Sequence, residues 1–319
     1  MVRDLLGAIG RTPLVELTHL ARGLRARVLA KCEHLNPGGS VKDRVARAIL
    51  DDAESRRVLR PGMTIIEATA GNTGIGLAIV AMRRGYPLVC VMPEKMSLDK
   101  RATLTSLGAR IVLAPNVPGT DPNNFRNVAA RLAAEHGWFL PEQFSNPANV
   151  RVHEQTTGVE ILEQCGGRIG AFVAGAGTGG TLSGVARRLK ASLPKVRVVL
   201  ADPVGSSLAD WVETGQLGPG GSYAVEGIGA GVPPANLHRD VIDTAERISD
   251  EETFSVVRRL VREEGLLVGG SSGANVAAAL RLAASGEVQG PVVTILPDSW
   301  DRYRSTPWMS AWGRDAGVS

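Results

Sequence analysis

Cysteine is scarce in this sequence: Cys32, Cys90 and Cys165 are its only three, far apart and with no Cys-x-x-Cys pair. A disulfide scaffold, a zinc finger and a dithiol redox centre are excluded, and a reducing compartment, the cytoplasm, is expected. Long apolar runs are missing too. Stretches such as Gly74 to Met82 are far too short to span a bilayer, and Met1 to Gly7 lacks a signal-peptide core. Nor does one charge dominate: 36 Lys and Arg face 32 Asp and Glu, a net +4 with the signs interleaved, so no nucleic-acid or membrane partner is implied. A locally positive cleft for an anionic ligand remains compatible with that balance. Repeats and low-complexity tracts are absent. What is present, 319 residues of which 44% are apolar and 21% charged, rules out disorder and coiled coil and suffices for a large fold or two domains with cores.

Glycine is abundant, at 38 residues, and falls where apolar runs give way to helical patterns. Residues 64–68, 88–92 and 110–113 read as strands, with helices over 73–84 and 98–107 between them. This β-α-β-α-β order predicts a parallel sheet. After a helical stretch over 150–164, a second series predicts strands at 171–174, 196–201 and 292–296 and helices at 180–192, 250–264 and 271–284. Two α/β units are expected, with the boundary within Pro141 to Asn149, where Asn146-Pro147-Ala148-Asn149 breaks periodicity. Val204 to Pro234, rich in Gly and Pro, is too long for an ordinary connection and reads as a mobile or active-site segment.

Three glycine-rich loops carry the chemistry, and in open parallel sheets ligands bind beyond the carboxyl ends of the strands. Gly175-Ala176-Gly177-Thr178-Gly179-Gly180-Thr181 joins a strand to a helix, so that bare amides and two hydroxyls converge at a helix amino terminus as an anion cradle. Gly175, Gly177 and Gly180 also satisfy the dinucleotide fingerprint, with Asp202 ending the next strand, which leaves a nicotinamide oxidoreductase as an alternative. Against it, Thr178 and Thr181 suit a terminal phosphate monoester, and Asp202 runs straight into a Pro203-Val204-Gly205 turn. Asn36-Pro37-Gly38-Gly39-Ser40-Val41-Lys42-Asp43-Arg44 feeds a helix whose first turn holds Lys42 at the positive end of the dipole. An amine made partly neutral there can condense with an aldehyde; taken alone, a solvated helix lysine is the simpler reading. Thr69-Ala70-Gly71-Asn72-Thr73-Gly74 suits a carboxylate, or is an ordinary helix cap.

Taken together these segments resemble the pyridoxal-phosphate enzymes of β-replacement, the cysteine synthase and cystathionine β-synthase family of fold type II. The resemblance runs over nearly the whole chain. It starts at Ile9-Gly10-Arg11-Thr12-Pro13-Leu14, passes through the three loops in family order, and includes Gln143-Phe144-Ser145-Asn146-Pro147-Ala148-Asn149, Glu226-Gly227-Ile228-Gly229 and Gly269-Gly270-Ser271-Ser272-Gly273-Ala274. It implies an α/β fold like that of tryptophan synthase β, with two domains of mainly parallel sheet flanked by helices. A smaller mobile substrate-binding domain would span 35–146, and a larger phosphate-binding domain 1–34 and 147–319.

By the same resemblance, pyridoxal 5'-phosphate is the cofactor, held covalently by Lys42, with Asn72 on its ring hydroxyl, Gly177, Thr178, Gly179, Gly180 and Thr181 around its phosphate, and Ser271 at the pyridine nitrogen. Thr69, Ala70, Gly71, Asn72, Thr73 and Gln143 would hold the substrate's carboxylate. A serine hydroxyl cannot keep the ring nitrogen protonated as a carboxylate would, which suits β-elimination better than transamination. The implied reaction converts O-acetyl-L-serine or L-serine, through an α-aminoacrylate, into L-cysteine, with sulfide or a thiol as second substrate. Lys42 would be the general base at Cα.

Ala70 departs from the serine common in this loop of the sulfhydrylases and removes one hydroxyl. Asp202-Pro203-Val204-Gly205-Ser206 and Leu296-Pro297-Asp298-Ser299 look like cystathionine β-synthases, which use homocysteine; Gln143-Phe144-Ser145-Asn146-Pro147 looks like cysteine synthases. Neither a haem-binding leader nor a carboxy-terminal regulatory pair is expected. A homodimer and a serine acetyltransferase as partner are expectations of the resemblance. His153 and the aromatic group Trp300, Tyr303, Trp308 and Trp312 read as structural, the latter as tail packing, with a subunit contact or lid as the alternative.

Overall fold

The computed structural model describes residues 2–315 except 70 and 95, with the backbone alone at 311 and 313–315. In chain order the elements are β1 (Leu14–Glu16), β2 (Val28–Lys31), α1 (Lys42–Ser55), β3 (Ile65–Ala68), α2 (Asn72–Arg84), β4 (Leu88–Pro93), α3 (Leu98–Ser106), β5 (Arg110–Ala114), α4 (Phe125–His136) and α5 (Ala148–Val152). They continue with a π-helical turn (His153–Thr157), α6 (Gly158–Gln164), β6 (Ala171–Ala174), α7 (Gly180–Ser192), β7 (Arg197–Pro203), α8 (Leu208–Thr214), β8 (Thr244–Ile248), α9 (Asp250–Glu264), α10 (Gly270–Ser285), β9 (Val292–Ile295) and α11 (Pro307–Asp315). None of the described helices is long and apolar enough to cross a membrane.

The chain divides into two compact units, one of residues 1–9 and 36–148, the other of 10–35 and 149–319. One point corrects the expected boundaries. Residues 1–9, assigned from sequence to the larger domain, belong to the smaller unit, because Leu6 is buried in its core and the Leu6 carbonyl accepts from Arg47 of α1 at 2.9 Å.

In the smaller unit β3, β4 and β5 form a three-stranded parallel sheet. β3 and β4 are buried along their whole length, as continuous apolar runs in a sheet covered on both faces should be. Alternate residues divide between the faces: Ile65, Leu88, Cys90 and Met92 meet α1 and α2, whereas Ile66, Val89 and Val91 meet α4. α2 stops at Gly85, whose φ of 73° supplies the left-handed cap.

The larger unit holds a six-stranded sheet in the order β1-β2-β9-β6-β7-β8, parallel except for β1 against β2. Val28, Ala30, Ala171, Val173, Val199 and Val292 face the α9 and α10 side; their neighbours Leu29, Phe172, Val198 and Val293 face α6 and α7. α9 starts where Ser249 Oγ accepts the Glu252 amide at 3.2 Å and carries Asp250, Glu251 and Glu252 in its first turn, where acids suit the dipole. The 204–234 stretch is not all loop: residues 208–214 form α8, seeded when Asp202 Oδ2 accepts the Ala209 amide at 2.8 Å.

Lys31 is fully buried in β2. Its ammonium donates to the Thr12 carbonyl at 2.6 Å and to Gln164 Oε1 at 2.8 Å and pairs with Glu160 at 2.7 Å. The aromatic tail packs on its own unit. Trp308 stacks on Phe254 of α9 with centroids 4.8 Å apart, Trp312 meets Trp308 edge-on, and the buried Tyr303 donates to Asp298 Oδ2 at 2.6 Å. The three thiols are free, and burial pushes those of Cys32 and Cys90 up to about 12.

Candidate active site

Lys42 opens α1. The loop before it closes on itself: the Gly38 amide donates to Asp43 Oδ2, the Lys42 amide donates to Ser40 Oγ at 3.2 Å, and a Cβ at Gly38 would collide with the Asp43 carboxylate. The backbone of the lysine is therefore fixed on both sides, while its side chain is only half-buried.

In the same unit the start of α2 presents donors. Thr69 Oγ1 accepts the Gly74 amide at 3.1 Å and the Gly71 amide at 3.4 Å, so its own proton is left to give. The Thr73 hydroxyl donates to Gln143 Oε1, which fixes the orientation of that carboxamide. Asn72 is the first residue of the helix, and a Cβ on Gly71 would meet nothing within 4 Å. Hydroxyl and amide donors at a helix start suit a carboxylate. Ala70 lies outside the described residues.

One member of this group is not visible as functional in the sequence. Glu67, two residues before Thr69, is buried in β3, and burial raises its carboxyl to about 8 against the opposing pull of the Ala68, Gln143 and Glu142 amides. Its Oε1 accepts from Ala68 at 3.1 Å, and Oε2 has no hydrogen-bond partner among the described residues. The signal was an acid inside an otherwise apolar run. Between about pH 4.5 and 8 the folded chain holds a proton here that the unfolded chain releases. Glu67 therefore supports the fold below that window and loses its contribution as pH rises through it, by roughly 1.4 kcal/mol for each pH unit. Glu67→Gln should flatten that decline, a difference read from thermal midpoints at pH 5.5 and 8 in both chains.

In the larger unit the 175–181 turn is held from several sides. The Gly175 amide donates to Asn275 Oδ1 at 2.7 Å, and Asn275 Nδ2 donates to the Ile295 carbonyl at 2.9 Å, tying the carboxyl ends of β6 and β9 to α10. A Cβ at Gly177 would collide with the Gly227 carbonyl, and Gly179 sits at φ 84°; neither position takes a side chain without strain. The amides of Gly177 to Thr181 donate to no acceptor among the described residues. Thr178 Oγ1 accepts from Asn149, and Thr181 Oγ1 lies against His153. Neither supporting residue stood out as functional in the sequence.

At the start of α10, Ser271 is buried and its hydroxyl meets no hydrogen-bond partner among the described residues, and the fully buried Ser272 hydroxyl beside it likewise has none among them. An amide cradle with two hydroxyls and buried serine hydroxyls lacking partners fit a phosphate monoester attached to a polar ring. Asp202 does not serve a dinucleotide. Its Oδ2 is taken by Ala209, and burial raises its carboxyl to about 6, so the acid of the fingerprint is an internal helix cap. No cluster of three or more His, Cys, Asp or Glu that could hold a metal occurs among the described residues.

Comparison with known proteins decides between these possibilities. The family model described as "Pyridoxal-phosphate dependent enzyme" matches residues 5–298. The chain is a pyridoxal-phosphate dependent enzyme. It is 45% identical to a cystathionine β-synthase of Apis mellifera over 97% of its own length and 63% of that protein's, and 43% identical to a cysteine synthase of Staphylococcus aureus over 97% of both. It spans 57% of a second cystathionine β-synthase, from Oryctolagus cuniculus, at 44% identity. The crystal structure of O-ureido-L-serine synthase superimposes with a TM-score of 0.90 at 39% identity, covering 100% of this chain and 96% of that one. The enzyme thus belongs to the cysteine synthase and cystathionine β-synthase family, has the type II fold and uses pyridoxal 5'-phosphate.

Proposed function

We propose that the enzyme is a cysteine synthase, replacing the β-substituent of O-acetyl-L-serine, or of L-serine, with a sulfur nucleophile. The observation that carries this is the group at the start of α2: Thr69 Oγ1, which accepts two backbone amides and keeps its own proton to give, beside the hydrogen-bonded Thr73 and Gln143 side chains, forms a seat for an amino-acid carboxylate. The match to cysteine synthases over 97% of both chains supports the choice within the family.

Lys42 would hold the cofactor, Asn72 its ring hydroxyl, residues 177–181 its phosphate, and Ser271 its ring nitrogen. When bound, pyridoxal 5'-phosphate supplies an electron sink conjugated to the substrate's Cα. Thr69, Asn72, Thr73 and Gln143 fix the carboxylate. The Lys42 amine, released from its covalent role, removes the Cα proton as acetate leaves Cβ, then returns it after the nucleophile has added. A serine rather than a carboxylate at the ring nitrogen keeps the sink weak and favours departure of a β-substituent over transamination. The same proposal has the enzyme work as a cytoplasmic homodimer.

A second reading, cystathionine formation from serine and homocysteine, is supported by the 45% identity to the Apis mellifera enzyme. The O-ureido-L-serine neighbour adds a third acceptor to test, hydroxyurea, the nucleophile such a product requires. Purified enzyme should have the highest kcat/KM with O-acetyl-L-serine and sulfide; a higher value for serine with homocysteine, or for hydroxyurea, would reassign it.

A further inference from the structure

Both hydroxyls of the 177–181 turn are met from behind by side chains of one short stretch. Asn149 Nδ2 donates to Thr178 Oγ1 at 3.0 Å, and His153 Nε2 lies 3.1 Å from Thr181 Oγ1. On its other side, His153 Nδ1 lies 2.9 Å from Thr157 Oγ1. Asn149, His153 and Thr157 are all fully buried and follow one another at intervals of four. The 153–157 segment carrying the last two is a π-helical turn, an uncommon element that recurs at functional sites. α7 is pressed against it, for a Cβ at Gly184 would collide with the Val150 carbonyl and meet His153 Cβ.

The imidazole has two neutral forms, and they act oppositely on Thr181. With the proton on Nε2, the ring donates to Thr181 Oγ1 and leaves the threonine proton to point elsewhere. With it on Nδ1, Thr181 must surrender its proton to the ring and would turn only lone pairs toward a dianion. Asn149, donating to Thr178, frees the other threonine's proton in the same way. We infer that Asn149 and His153 are positioning residues for the cofactor phosphate, supplying a donor behind each threonine so that both hydroxyl protons face the anion, and that Thr157 donates to Nδ1 and so keeps the His153 proton on Nε2. This rests on the reading of the turn as the phosphate seat.

The test uses full-length apoenzyme titrated with pyridoxal 5'-phosphate and, separately, with pyridoxal, together with the 31P resonance of the bound phosphate. His153→Leu should weaken pyridoxal 5'-phosphate binding about tenfold, the effect of one lost hydrogen bond near an anion. It should shift the 31P line, leave pyridoxal binding unchanged, and cost nothing further in a Thr181→Val background. His153→Gln, whose amide can reach from the position of Nε2, should restore most of the affinity. Nitrogen-15 spectra of histidine-labelled enzyme should show His153 protonated at Nε2, and Thr157→Val should abolish that preference, a readout that survives if His153→Leu does not fold. Equal losses for pyridoxal, an additive double variant, or an Nδ1-protonated ring in the wild type would overturn the inference. If the wild-type chain bound pyridoxal as tightly as its phosphate ester, the phosphate seat itself would be wrong, and the inference would fall with it.

Discussion

Lys42→Ala should purify without the borohydride-reducible visible absorbance of the wild-type enzyme and should slow β-replacement about 10,000-fold, the upper range for losing a general base. Two functions vanish together, the covalent hold on the cofactor and the proton carrier at Cα, so added amines should restore little of the rate. The fold should be spared. Lys42 is half-buried at the first position of α1, its backbone is fixed through Ser40 and Asp43, and alanine is a strong helix former. An unchanged thermal midpoint beside the lost absorbance is the expected pair of results. Turnover within tenfold of the wild type would remove Lys42 from the proposed mechanism.

Lys31→Ala should do the reverse, destabilising the larger unit by about 3–5 kcal/mol, as removal of one partner from a buried pair does. The ammonium satisfies the Thr12 carbonyl, Gln164 and Glu160 at once, and the variant would take from all three, among them the 15% exposed Glu160 carboxylate, the ammonium they share. Such a loss is a large share of the 5–15 kcal/mol that holds a typical domain together. The matched pair Lys31→Met with Glu160→Leu should recover much of it, because two apolar groups replace two compensated charges. Urea titrations of the three chains check both statements. A loss below about 1 kcal/mol for the single variant would mean that water reaches Glu160.

Where glycine punctuated an apolar run, the sequence was legible almost to the residue. β6 over 171–174, α7 over 180–192 and α9 over 250–264 lie at the expected positions, since the strand's abrupt end at Gly175 and the caps at Gly179, Ser249 and Gly265 are local effects. β2 was missed because it is four residues long and ends in a charged lysine whose partners come from Thr12, Glu160 and Gln164. α8 was hidden inside a Gly- and Pro-rich stretch because the acid that caps it, Asp202, belongs to the preceding strand. Of the candidate site, Lys42, the Asn72 loop and the 177–181 turn were legible as loop chemistry. Asn149, Glu67 and Asn275 were not, since each acts on a backbone or hydroxyl brought to it by the fold. His153 illustrates the limit most clearly: the 150–164 pattern reads as one helix, and only the extra residue per turn at 153–157 reveals the ring's two partners.

Cys32 belongs to the larger unit and Cys90 to the smaller, both buried and with thiols pushed up to about 12. While the chain is folded, neither presents a nucleophile at neutral pH, so alkylating agents and stray disulfides find nothing to attack at either place. Each sulfur thereby becomes a clock for its own unit, one that starts to run only when the surrounding packing opens.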